Sequence, residues 1–222
     1  MRCLKVLIIC FVFLSFVEME KKGECKSLLD KASNFILINE TAGAMRLKAY
    51  KDTKPTICNG ITYYFFKKKD IVLMEKNSIL ATSGTPYIIS KKNCVKVNNN
   101  LFKCDVESRD ILTYQQCKYQ QSIHIQYFMD VLKKKIGSYY YVLNDNQRIV
   151  LLDILFNYGE SNDNVNIILS NTIQYLEKPF NYDAIHTLIK SIYNVAEKKW
   201  FNTKYNKGQI GRCNRRVSLF FS

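Results

Sequence analysis

With 222 residues, 47% of them hydrophobic, the chain has apolar material for one sizeable core or two small ones. Lys and Arg number 33 against 19 Asp and Glu, a formal charge of +14, which concentrates a protein on anionic surfaces such as bacterial walls, anionic lipid or nucleic acid. The same excess arises wherever Lys, Asn, Ile, Tyr and Phe are all abundant, so charge alone does not name a partner.

Met1 to about Val17 has the layout of a secretory signal. Arg2 and Lys5 precede an apolar run from Val6 to Leu14, and charged residues from Glu18 to Lys22 follow it directly. The run is short for a membrane span, and no other stretch is long and apolar enough. Residues 1–22 are therefore expected to be a signal segment, cleaved or kept as a short anchor, and 23–222 a single domain. Such a route leads outside the cell or to a lysosome-like or vacuolar compartment. It argues against nucleic acid as the target and confines membrane contact to the signal segment. A monomer is expected.

Six cysteines remain beyond that segment: Cys25, Cys58, Cys94, Cys104, Cys117 and Cys213. An even number in a secreted chain suggests three disulfides, although six cysteines allow about fifteen connectivities. Val95-Lys96-Val97 and Leu101-Phe102-Lys103 flank an Asn98-Asn99-Asn100 turn, so Cys94 and Cys104 are paired most simply across a hairpin. A zinc site is the rival use. No C-x-x-C pair occurs and only His124 and His186 are at hand, so no metal and no other cofactor is expected.

In chain order, Cys25–Asn39 reads as a helix, with Leu28, Leu29, Ala32, Phe35 and Ile36 on one face. Glu40 falls at its C-terminal end, where the helix dipole disfavours a negative charge and raises a carboxyl pKa. Asn39-Glu40-Thr41 is also an N-glycosylation sequon, and a glycan there would crowd that carboxylate. Leu47 to Phe66 reads as short strands and turns, and the following segment to Asp110 is alternately basic and β-prone. Lys67-Lys68-Lys69, beside aromatics, suits either a grip on an anionic polymer or a solvated turn.

Thr113 opens a long helix with Ile123, Tyr127, Phe128, Val131, Leu132 and Ile136 as its apolar stripe; His124 on it reads as a core or surface residue. Asn144-Asp145-Asn146-Gln147 has N-capping chemistry and opens a nearly all-apolar helix, Ile149 to Phe156. Helices around Asn164–Leu176 and Tyr182–Trp200 follow, separated by Pro179.

Five stretches in order carry a family resemblance. They are Arg46-Leu47-Lys48-Ala49-Tyr50-Lys51-Asp52, Thr56-Ile57-Cys58-Asn59-Gly60-Ile61-Thr62, Leu112-Thr113-x-x-Gln116-Cys117, Phe156-Asn157-Tyr158-Gly159 and Gly211-Arg212-x-x-Arg215-Arg216-x-x-x-Phe220. In these the chain resembles the phage-type lysozymes, glycoside hydrolases of family 24. The family reads E-G-x-R-L-K-A-Y-x-D, then T-I-G/C-x-G-H-T. Counting back from Asp52 by that spacing lands on Gly43, so Glu40 fills the acid position only with Thr41-Ala42-Gly43 as a local insertion. The turn from Asp52 to Thr56 is two residues short, and Ile61 stands where the family has His. Near the C-terminus Ser218 or Leu219 replaces the glutamate that partners the Arg pair, so those arginines must find other partners.

The resemblance implies an α+β, lysozyme-like fold. It would have a helix at 25–39, a β lobe at 44–112 enlarged by an insertion at about 67–110, and a helical lobe at 113–222 joined by a long helix. It implies cleavage of the β-1,4 linkages of peptidoglycan. Glu40 would protonate the leaving oxygen, Asp52 would act as base or electrostatic partner, and Thr56 would hold the attacking water. Cys58 with Cys117 would tie the β-hairpin to the next helix, some relatives having cysteines at both places. Cys25 with Cys213 is left by elimination. A degenerate protein that binds wall polysaccharide without hydrolysing it remains the alternative. A membrane-active cationic protein is a third class, for which no strongly amphipathic basic helix stands out.

Overall fold

A computed structural model describes residues 28–40, 44–51, 54–74, 78–81, 87–90, 94–200 and 206–222. Residues 1–22, where a signal segment is expected, and also Cys25 and Asp52, lie outside the described residues. The fold is α+β, with six helices and small antiparallel sheets among the described residues.

Helix α1 (28–40) buries Leu28, Ala32 and Ile36, the stripe expected from spacing, and runs one residue further than expected, taking in Glu40. Strands β1 (Tyr50–Lys51) and β2 (Pro55–Thr56) form a minimal hairpin. A tight turn follows. Ile57 and Ile61 exchange both backbone hydrogen bonds, at 2.8 and 2.9 Å, across Cys58, Asn59 and Gly60, all at positive φ. Asn tolerates that conformation through its short polar side chain, and Gly60, at φ 109°, needs no Cβ. Cys58 is held there by its disulfide to Cys117 and by donating its N–H to the Arg46 carbonyl.

The segment expected as a single insertion divides in two. Strand β3 (Tyr63–Lys67) is followed by a solvated 3-10 turn, Lys68–Asp70, and by a meander of β4 (Ile71–Met74), β5 (Ser78–Ala81) and β6 (Tyr87–Ser90). Strands β7 (Cys94–Asn98) and β8 (Leu101–Asp105) then return to β3, in the order β3-β8-β7. The second half of 67–110 thus completes the sheet that β3 begins. Cys94 faces Cys104 in register and is bonded to it, as the hairpin reading required. Strand β3 is an edge strand, and the Gln120 amide satisfies its open side by accepting from Phe65 N at 2.9 Å and donating to Phe65 O at 3.0 Å.

Gln120 belongs to α2 (Tyr114–Ile136), the long helix, which opens with a reciprocal capping box between Thr113 and Gln116. A 3-10 turn (Gly137–Tyr141) leads to α3 (Asp145–Tyr158), whose box pairs Asn144 with Gln147. Gly159 ends α3 at φ 81° and ψ 161°, a positive φ with an extended ψ. Helices α4 (Asp163–Glu177), α5 (Tyr182–Trp200) and α6 (Asn206–Phe220) complete the helical part. All six helices supply the larger core. A second core under the sheets includes Ile57, Ile61, Tyr64, Phe66 and Leu112, and Phe156 packs against both. Ile61 is therefore spent on packing.

Cys213 is a free, buried thiol on α6, its Sγ 3.6 Å from the Ile192 carbonyl of α5. It faces the helical interior, so the Cys25–Cys213 pairing reached by elimination is not formed. No described helix is long and apolar enough to cross a membrane. The two disulfides fit an oxidising compartment.

The two disulfides differ in expected worth. Cys58–Cys117 spans 59 residues and Cys94–Cys104 spans 10. Loop-closure entropy then predicts losses of about 4 and about 3 kcal/mol for the respective double serine variants. Urea unfolding would rank them. Equal losses would mean that the Cys58–Cys117 loop stays compact when unfolded.

Candidate functional site

Glu40 stands at the edge of a buried cluster of charged and polar side chains. Helix α1 delivers it, at its C-terminal end, to the junction between the helical core and the β turn 58–60. Its side chain is only 14% exposed. One oxygen, Oε1, lies 2.8 Å from Arg212 Nη1 of α6. The contact is a close ion pair, and Nη1 also donates to Asn157 Oδ1 at 2.9 Å. The other oxygen, Oε2, faces Gly60. A Cβ built there would meet the Phe156 ring at 3.3 Å and Glu40 Oε2 at 3.8 Å. A side chain at position 60 would crowd the Phe156 ring and touch Glu40, and the positive φ makes any such residue strained.

Burial pushes the Glu40 pKa above the usual carboxylate value. The nearby negative charge of Asp153 adds to this, while Arg212 and Arg216 pull against it. The folded protein thus binds the Glu40 proton more tightly than a free carboxylate does.

Behind Glu40 lies a connected set of buried polar groups. Asp153 and Arg216 are both 0% exposed and paired at 2.7 Å. Asn39 donates to Asp153 Oδ2 at 3.3 Å and accepts from Arg215 Nε at 2.7 Å, and its carbonyl accepts from Arg212 Nη2 at 3.0 Å. Asn157 donates to Asp153 Oδ1, and Arg216 reaches Tyr158 OH at 3.3 Å. These are the replacement partners that the arginines of α6 required. Asn39 is 6% exposed and its amide is committed to this network, so the sequon offers no acceptor in the folded protein. Gln121 of α2 ties the junction further, accepting from Ser33 of α1 and donating to the Cys58 carbonyl.

Thr56 sits in β2, 3% exposed, opposite Tyr50, and its hydroxyl donates to the Lys54 carbonyl at 2.9 Å. That leaves the oxygen as an acceptor. Asp52 falls between the described ends of the same hairpin. Sequence reasoning found Glu40 and the Arg cluster but missed Asp153, Asn157 and Asn39 as its frame. The available signal was a lone carboxylate inside Ile149-Val150-Leu151-Leu152-Asp153-Ile154-Leu155, which must be paired if the helix is buried.

His124 is a core residue. It lies among Tyr63, Phe65 and Phe156, and its Nδ1 bonds to the Gln120 carbonyl at 2.7 Å. Burial pushes its pKa down to about 4, from the ordinary 6.5 of a histidine. The unfolded chain therefore takes up this proton first, and stability is lost as pH falls from about 6.5 towards 4, by up to about 1.4 kcal/mol per unit. His124→Phe is expected to flatten that part of the acid sensitivity in urea midpoints compared at pH 7 and pH 4.5. An unchanged slope would place the acid-sensitive groups elsewhere.

No group of three His, Cys, Asp or Glu among the described residues could hold a metal. Neither a protein-family model nor a curated protein matches the chain.

Proposed function

We propose that the protein is a secreted, lysozyme-like glycoside hydrolase that cleaves the β-1,4 linkages of bacterial peptidoglycan. Glu40 is the general acid, Asp52 the base or electrostatic partner, and Thr56 a positioning group for water. One observation carries this reading. A carboxylate at a helix end is buried at the junction of two cores, with its pKa raised and a glycine backbone against its second oxygen. Glycosidic cleavage needs such a protonated acid beside an ionised partner. The positions of Arg212 and Gly60 beside Glu40 also support the order of motifs that suggested the family, with Thr41-Ala42-Gly43 as a local insertion.

The Glu40–Arg212 ion pair favours a second reading, binding of wall polysaccharide without hydrolysis, since Arg212 pulls the carboxyl pKa back down against its burial. Turbidity clearing and sedimentation of purified peptidoglycan with the oxidised protein separate the two. Clearing supports the hydrolase. Co-sedimentation without clearing leaves the binding protein.

A further inference from the structure

The large apolar side chains that this fold leaves in water are not spread evenly. Among the described residues the three most exposed are Phe180 at 98%, Tyr182 at 76% and Tyr141 at 75%. Phe180 and Tyr182 lie where α4 turns into α5, and Tyr141 closes the 3-10 turn between α2 and α3. The two turns meet, because Tyr139 OH donates to Glu177 at the end of α4. The C-terminal end of α6 joins them: the Phe221 ring packs on Tyr175 at 5.4 Å, and Asn146 donates to Ser222 Oγ at 3.1 Å. Segments far apart in sequence thus bring their exposed rings to one end of the helical part.

A cluster of that kind marks a surface that meets a partner. We propose that this end docks on an anionic phospholipid bilayer, with the rings of Phe180, Tyr182 and Tyr141 entering the headgroup layer. Aromatic rings settle at that depth because their faces are apolar and a phenol can stay wet.

The charges around the rings choose lipid over protein. Lys133, Lys134 and Lys135 close α2 just before the 3-10 turn, and Lys178 precedes Phe180 by two positions. Lys133 Nζ lies 5.1 Å from the centre of the Tyr140 ring, which places its charge beside that turn. Lysine is depleted from protein interfaces but favoured at anionic headgroups, where each gains about fivefold in affinity. Glu177 and Asp183 oppose these four lysines, while Asp145 is outnumbered by Lys31 and Arg148, both of which pair with it. The balance at this end is therefore positive. Turn tips make the contact, so it needs no amphipathic basic helix. Sequence analysis confines membrane contact to residues 1–22; this is a second contact, in the folded domain, and it stands whether or not Glu40 acts on a sugar.

The test is co-sedimentation of the oxidised full chain with two kinds of vesicle, phosphatidylcholine alone and equal parts of phosphatidylcholine and phosphatidylglycerol. Wild type should prefer the anionic vesicles. Phe180→Ser/Tyr182→Ser is expected to bind them about tenfold more weakly, the effect of withdrawing a ring from the interface, and to release reducing ends from peptidoglycan as wild type does. Ile111→Ser, which removes a side chain 69% exposed in the β part, should bind as wild type does. Emission from Phe180→Trp, with the wild-type Trp200 signal subtracted, should shift to the blue on anionic vesicles. That readout separates this end from residues 1–22. An unshifted emission overturns the proposal whatever the total binding, and so does undiminished binding by the double variant. Equal loss in Ile111→Ser overturns it too. Self-association without lipid, abolished by the double variant in a protein that ignores vesicles, would give the face to a second copy of the chain instead.

Discussion

Glu40→Gln is expected to slow reducing-end release from peptidoglycan by two orders of magnitude or more, the usual worth of a general acid. The same substitution should not cost stability at neutral pH. The folded state binds the Glu40 proton more tightly than the unfolded chain does, so the native protein loses stability as pH rises through the window above the unfolded carboxyl value. Gln removes that loss. Melting curves are expected to place the variant at or above wild type near pH 7, with the gap closing as pH falls below about 4.3. A variant that is both inactive and markedly less stable would mean that the Arg212 pair holds the junction together, and that the lost activity reports unfolding.

Arg216→Met is expected to destabilise the protein by about 3–5 kcal/mol, because it strands the Asp153 carboxylate where no water reaches it. Asp153→Leu should cost a similar amount. The pair replaced together should be far less harmful than the two losses added, and even neutral. The Arg216 Nη2 atom already lacks a hydrogen-bond partner, and its burial would be relieved too. Urea unfolding of the two single variants and the double one completes the cycle. Additive losses would mean that each side chain is held mainly by Asn39, Asn157 and Tyr158. If the double variant keeps its fold but its rate falls, the network also positions Arg212 and Glu40.

Local rules made most of the framework legible. Both reciprocal caps, Thr113 with Gln116 and Asn144 with Gln147, follow from residues three apart, and the Cys94–Cys104 hairpin follows from alternation around an Asn-rich turn. The heart of the site is assembled at long range. Arg212 meets the Asn39 carbonyl across 173 positions, and Asn39 meets Asp153 across 114. Periodicity carries no information at that distance. Asp153 therefore passed as an exception in an apolar helix, although its partners set the field at Glu40. The stretch after β3 was legible as β-prone but not in its pairing, because β8 skips the β4–β6 meander to return to β3. Cys213 shows the weakness of counting: an even number of cysteines implied a bond that an inward-facing side chain does not make.

Mass spectrometry of the soluble fragments released from purified peptidoglycan, with Glu40→Gln as the parallel control, bears most directly on the account. Wild type should release muropeptides cut between sugars, each carrying a hydrolysed reducing end, and the control should release almost none. Intact glycan strands, freed only by cleavage of peptide or amide bonds or not freed at all, would contradict it.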